Sequence, residues 1–202
     1  MDFDKLIANL GKRNINSCLV ANGGEAVDAA LRLIPPGSRI GFGGSVTLEQ
    51  IGILDLLRER DDVTLLDRTR VVDPSELHRL YVEMFGCDVF LTSANAVTMQ
   101  GQLVSVDGRG NRIAMTTYGP RRVIVIVGRN KIAGGLDAAI DRIRKVACPK
   151  NVERMKNLAR SSPIASTIEI TEERIWGQIS IIERQLDGSR MHVILVDEEL
   201  GF

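Results

Sequence analysis

Four stretches of the chain carry the residue types that hold a charged ligand. The first is Gly41-Phe42-Gly43-Gly44-Ser45-Val46-Thr47, which joins a strand-like segment to a helix-like one. Glycines let the backbone turn sharply and approach a ligand closely, and the free N–H groups of a helix start attract an anion. Ser45 and Thr47 add hydroxyl donors. The loop also has an ordinary reading. Thr47 with Gln50 three residues on has the form of a capping box, and Gly43 and Gly44 let a helix pack against a strand. The loop lacks the lysine of a Walker motif and the third glycine of a dinucleotide fingerprint.

The other three stretches are Thr92-Ser93-Ala94-Asn95-Ala96-Val97-Thr98, Asp107-Gly108-Arg109-Gly110-Asn111-Arg112 and Gly128-Arg129-Asn130-Lys131. The first and last of these follow strand-like runs, and open α/β sheets bind ligands outside the carboxyl ends of their strands. The expected ligand-binding set is therefore Gly43, Gly44, Ser45, Thr47, Ser93, Asn95, Asn111, Arg112 and Lys131. Arg109, Arg121 and Arg122 could add positive charge for an anion. For acid–base chemistry the candidates are Asp107, Lys131 and Glu49. Taken singly, each piece has a plainer role: Asp107-Gly108 is a common turn pair, Asn95 suits a turn cap, and Arg121-Arg122 suits a solvated strand start.

The elements that would position these residues follow from apolar periodicity. Helices are expected at residues 3–12, 24–33, 47–60 and 136–146, with another starting at Asp73, and strands at 17–21, 38–42, 63–66, 88–92, 103–106 and 122–127. Asp73-Pro74-Ser75-Glu76 has a cap, a first-turn proline and an acid at the third position. Val123-Ile124-Val125-Ile126-Val127 suits a strand buried on both faces. Two further strands are expected at 179–183 and 192–196, and 149–171 reads as a helix followed by a loop. The alternation implies an α/β fold, a doubly wound, mostly parallel sheet with helices on both faces, in a single domain spanning residues 1–202.

Composition narrows the function. Lys+Arg and Asp+Glu number 26 each, so the chain lacks the excess positive charge of a general nucleic-acid binder. No apolar run is long enough for a membrane span, and the start has no signal-peptide pattern, which makes a cytoplasmic protein the default expectation. Cys18, Cys87 and Cys148 are dispersed, and His78 and His192 have no partner at metal-ligand spacing. No metal and no cofactor are expected, and Cys18, opening an apolar run, suits a buried thiol.

The glycine segment Gly43 to Gly52, the run Leu91 to Thr98, Asp107 to Arg112, Gly119-Pro120, Val127 to Ile132 and the end Glu198-Glu199-Leu200-Gly201-Phe202 together resemble the LUD-domain proteins, the lactate-utilisation group. The resemblance runs in order along nearly the whole chain. It implies the sugar-phosphate isomerase/CoA-transferase-like fold, a bacterial or archaeal cytoplasmic protein, and iron–sulfur oxidoreductase partner proteins. Two departures matter. Many relatives carry late cysteines where this chain has Ser162-Pro163-Ile164 and Arg174-Ile175-Trp176-Gly177, so any redox role of that cluster is lost, and Trp176 is expected to pack in the core or at an interface. Sugar-phosphate members of the wider superfamily place a catalytic Asp where Asn95 stands, and no glutamate aligns with the CoA-transferase nucleophile. An amide cannot serve as that base or nucleophile.

Three functions remain open at this point: a lactate-utilisation protein binding a small anionic or phosphorylated ligand alongside an iron–sulfur oxidoreductase; a stand-alone enzyme on a phosphosugar, nucleotide or acyl-CoA ligand; and a non-catalytic ligand-binding subunit. A homodimer is possible in each.

Overall fold

A computed structural model describes residues 1–161 and 169–202. The Ser162-Pro163-Ile164 stretch and part of the loop expected after residue 149 lie outside these residues. Among those described, a six-stranded sheet has the order β1-β10-β7-β4-β2-β3, built from β1 (Asn16–Val20), β2 (Arg39–Phe42), β3 (Thr64–Leu65), β4 (Val89–Thr92), β7 (Arg122–Gly128) and β10 (Met191–Val196). Every pairing in it is parallel.

Alternation along the strands explains why the sheet is covered twice. Side chains two apart share a face. Ile124 and Ile126 of β7, Val89 and Leu91 of β4, and Ile194 and Val196 of β10 enter one core, with Ala26 and Ala30 of α2 (Gly23–Arg32), Leu48 of α3 (Val46–Gln50), and Ile53 and Leu57 of α4 (Ile53–Glu59). The residues between them, Val123, Val125 and Val127, Phe90, and Val193 and Leu195, enter a second core. There they meet Leu6 and Leu10 of α1 (Phe3–Lys12), Met84 of α5 (Pro74–Phe85) and Met115 of α6 (Asn111–Thr117). The sheet is therefore doubly wound, and its β-branched strand β7 is buried from Val123 onward.

A smaller four-stranded sheet has the order β8-β5-β6-β9, from β5 (Ala96–Thr98), β6 (Leu103–Asp107), β8 (Ile132–Ala133) and β9 (Gln178–Ile182). Val97 and Leu103 on one face join the second core. Ala96, Val104, Val106 and Ala133 on the other pack on α7 (Leu136–Arg142) and the turn after it. That turn, Ile143–Ala147, is a π turn leading into α8 (Cys148–Ser161). It lies just before Pro149, whose ring has no N–H to give the helical ladder. A short helix, α9 (Glu172–Ile175), precedes β9.

Several expectations are corrected. The single helix at 47–60 is two, because Gly52 takes a left-handed φ of +71° between α3 and α4. The 179–183 run is a strand, but it pairs antiparallel with β6 in the small sheet. β5, β8 and α6 are too short to leave a periodic signal. Cys18 is exposed, because β1 is the outer strand of its sheet. Asp73 does cap α5, accepting from the N–H groups of Ser75 and Glu76. Trp176 packs half-buried against the apolar cluster between the small sheet and α7, with the Arg144 guanidinium 4.9 Å from its ring centre. Among the described residues, no helix is long and apolar enough to cross a membrane.

Candidate functional site

The carboxyl ends of β2, β3, β4 and β7 all lead to one edge of the sheet, and a cavity of about 870 Å³ opens there. Gly44, Ser45, Ser93, Asn95, Asp107, Asn111, Arg112 and Lys131 line it, so most of the residues expected to bind a ligand are brought together. Gly43 stands behind them: a Cβ there would lie 3.2 Å from Thr92 Oγ1 and 3.3 Å from Arg112 Cδ. Thr47 is buried beneath the cavity wall. Glu49 is not brought in. It borders a smaller cavity of about 270 Å³ and pairs with Arg154 of α8.

Lys131 is 3% exposed. Its Nζ donates to Thr47 Oγ1 at 2.7 Å and to Ser93 Oγ at 3.0 Å. Those hydroxyls give their own protons to carbonyls, Thr47 to Leu200 and Ser93 to Ala94, at 3.3 Å each. No carboxylate pairs with the amine among the described residues. Burial, with the nearby guanidinium groups of Arg142 and Arg112, pushes its pKa down to about 7. Thr47 therefore does not cap α3. Ser45 does, its Oγ accepting from Leu48 N–H, and Gln50 instead accepts from the N–H of Gly201. With only five residues and one of its first N–H groups already bonded, α3 offers less to an anion than the loop sequence suggests.

Asp107 and Asn95 serve Arg112. Asp107 Oδ1 accepts from Arg112 Nε at 2.9 Å, and its Oδ2 accepts from Ile113 N–H at 2.9 Å. Arg112 Nη2 also donates to Asn95 Oδ1 at 2.6 Å and to Val106 O at 2.7 Å. Both carboxylate oxygens of Asp107 are thus occupied, which removes it as a ready general base. The amide at position 95 suits this clamp, since its oxygen also accepts from Val106 N–H.

The cationic lining extends beyond the residues singled out from sequence. Arg68, Arg109, Arg112, Lys131, Arg154 and Arg174 face the cavity, against two carboxylates, Asp107 and Glu169. Arg68 comes closest to the glycine loop. A Cβ on Gly44 would lie 2.8 Å from its Nη2, so only glycine permits the approach. Its guanidinium sits 5.7 Å from the Phe42 ring centre, and its Nε is buried with no protein partner. Such an orphaned donor is costly unless a ligand or water meets it. The strand-end rule applied to β3 points to Arg68 as well, although β3, with only two residues, is a weak marker in the sequence. Arg154 had no signal, because it depends on how α8 leaves the π turn, placing Cys148, Asn151, Arg154 and Met155 along one cavity wall. Arg121 and Arg122 lie at the amino end of β7, where Arg122 Nη1 donates to Leu33 O. Arg129 pairs with Asp197, and Asn130 holds the 200–201 backbone by accepting from Leu200 N–H and donating to Gly201 O.

Apolar side chains complete the enclosure: Val71, Val72, Leu77, Tyr81, Met155, Ile175 and Phe202. The arrangement can hold a molecule with an anionic part and an uncharged part, beside an amine and two hydroxyls. Among the described residues, no group of three or more His, Cys, Asp or Glu could hold a metal ion.

The fold is similar to that of a DUF162 family protein from Deinococcus radiodurans, known from a crystal structure. The two are 15% identical and superpose with a TM-score of 0.53, covering 96% of this chain and 94% of that one. At that identity the likeness concerns fold alone. Among curated proteins none matches the chain. The sequence model of the LUD domain matches residues 3–196, taking in all four lining stretches and both sheets, and the chain accordingly belongs to the LUD-domain family.

Proposed function

We propose that this protein binds a small anionic ligand, a carboxylate or a phosphorylated compound, in the 870 Å³ cavity, and that it takes part in lactate utilisation beside an iron–sulfur oxidoreductase. One observation carries the binding reading. In a chain of zero net charge, six cationic side chains and two carboxylates border one cavity. One of those carboxylates, Asp107, is already held by Arg112. Arginine charges in a partly enclosed space hold an anion far better than they would in open water. The family membership supports the lactate-utilisation half of the reading, and nothing in the fold conflicts with it.

The test is a titration of phosphate, lactate, a phosphosugar and a CoA thioester against the purified chain and its Arg68→Met variant, read by thermal shift. The proposal expects at least one anion to stabilise the parent in a saturable way and to lose that effect in the variant. Co-purification of an iron–sulfur protein with the chain from its native host tests the partner. A stand-alone enzyme is the second reading, and the environment of Lys131 favours it.

A further inference from the structure

Lys131 differs in kind from the other lysines. The chain has six, and Lys5, Lys12, Lys145, Lys150 and Lys156 are exposed, whereas Lys131 is buried against the cavity. An ammonium group has three protons to place, and a neutral amine has two protons and a lone pair. Around Lys131 Nζ the fold supplies two acceptors, Thr47 Oγ1 and Ser93 Oγ, and no third among the described residues. Both hydroxyl protons are committed to carbonyls, so both oxygens act as acceptors toward the amine. The site is thus built for the neutral amine with its lone pair free.

The surrounding charges agree. Arg112 from α6 and Arg142 from α7 both disfavour a further positive charge. Of the nearby acids, Asp107 is held by Arg112, Glu49 by Arg154, and Glu198 Oε2 accepts from Gly23 N–H. Gly201 keeps room beside the amine. It takes a φ of +61°, and a Cβ there would lie 3.1 Å from Lys131 Nζ and 2.5 Å from Thr47 Oγ1.

We propose that Lys131 forms an imine with the carbonyl carbon of a small aldehyde or ketone that also carries a carboxylate or phosphate, a reading that rests on the cavity binding anions. The neutral Nζ attacks the carbonyl carbon, a C–N bond forms as the C=O π bond breaks, and one of the two amine protons moves to the oxygen. The resulting carbinolamine loses its hydroxyl group and the remaining N–H proton as water, leaving a C=N bond. No oxidant or reductant is needed. The arginines hold the anionic end, and the uncharged amine supplies the nucleophile, a pairing seen where a buried lysine is desolvated for reaction with carbonyl compounds. Depression of the Lys131 pKa to about 7 keeps a large neutral fraction available at physiological pH.

Reductive trapping tests the step. The full chain is incubated near neutral pH with cyanoborohydride and one of three probes: pyruvate, dihydroxyacetone phosphate, or acetone as an uncharged control. Intact mass and peptide mapping locate the adduct. The expected result is a single adduct on Lys131 with one or both anionic probes, formed at least about tenfold faster than with acetone and faster than on any exposed lysine. The pyruvate and phosphate arms separate a carboxylate ligand from a phosphorylated one. Lys131→Met should abolish the adduct, and mapping of the parent remains decisive if that variant folds poorly. Adducts confined to exposed lysines, equal trapping of acetone, or no adduct would each overturn the proposal. Phosphate titrated without reductant keeps the two readings apart. Saturable phosphate binding with no Lys131 adduct sinks the imine and leaves the anion site standing, whereas loss of both sinks both.

Discussion

Lys131 Nζ donates to Thr47 Oγ1 at 2.7 Å, joining the turn after β7 to the short helix after β2 across 84 residues of sequence. Around that bond the glycine loop, the Ser93 turn and the 198–202 segment converge. Thr47 and Ser93 each accept from the amine, with the Arg112 and Arg142 charges nearby.

The buried lysine should make stability depend on pH in a particular direction. Its pKa falls from 10.5 in the unfolded chain to about 7 in the fold. Below about pH 7 both states carry the charge and the cost of burying it is complete. Between 7 and 10.5 the fold is neutral there while the unfolded chain is protonated, so stability rises with pH; above 10.5 that cost is gone. Lys131→Met lacks this dependence. Its stability advantage over the parent should be largest and level below about pH 7, then shrink by about 1.4 kcal/mol per pH unit toward pH 10. Urea denaturation of both proteins across that range checks it, and parallel curves would show a lysine with an ordinary pKa.

Gly44 and Arg68 should act as one unit. Gly44→Ala places a Cβ 2.8 Å from Arg68 Nη2, and the flexible arginine can withdraw without unfolding the loop. Anion affinity should then fall about as far as in Arg68→Met, by roughly tenfold to a hundredfold for one lost charge-assisted bond. The double variant should be little worse than either single one. Additive losses in a binding titration would show that Gly44 acts without Arg68.

The Asp107–Arg112 pair should matter to stability more than to chemistry. Their side chains are 10% and 11% exposed. Asp107→Asn keeps the shape and removes the charge, leaving Arg112 enclosed without its counterion. Such a loss costs about 3–5 kcal/mol in a buried pair. A chemical denaturation midpoint close to the parent's would mean that Asn95 and Val106 O suffice to hold the guanidinium.

Much of the architecture was legible because it rests on local signals. The β-branched run of β7 and the Asp73-Pro74 cap declare themselves within a few residues. Of the small sheet, β6 and β9 were legible but β5 and β8 were not, because these have three and two residues and pair with each other from places far apart in the chain. For the site, the strand-end rule brought Gly44, Ser93, Asn95, Asn111 and Lys131 to one cavity, yet it could not say which side chains were already spent. Asn95, a ligand candidate, and Asp107, an acid–base candidate, both also hold Arg112. Thr47 looked like a helix cap and is the partner of a buried amine. Arg68 and Arg154 carry no motif, and only the packing of the turn after β3 and of α8 brings them in.

Calorimetric titration of inorganic phosphate into the parent, Arg68→Met and Arg154→Met proteins near neutral pH tests the anion cavity most directly. The account predicts one saturable site per chain, weakened by added salt and by roughly tenfold or more in each variant. Absence of saturable binding in the parent, or equal affinity in all three folded proteins, would contradict it.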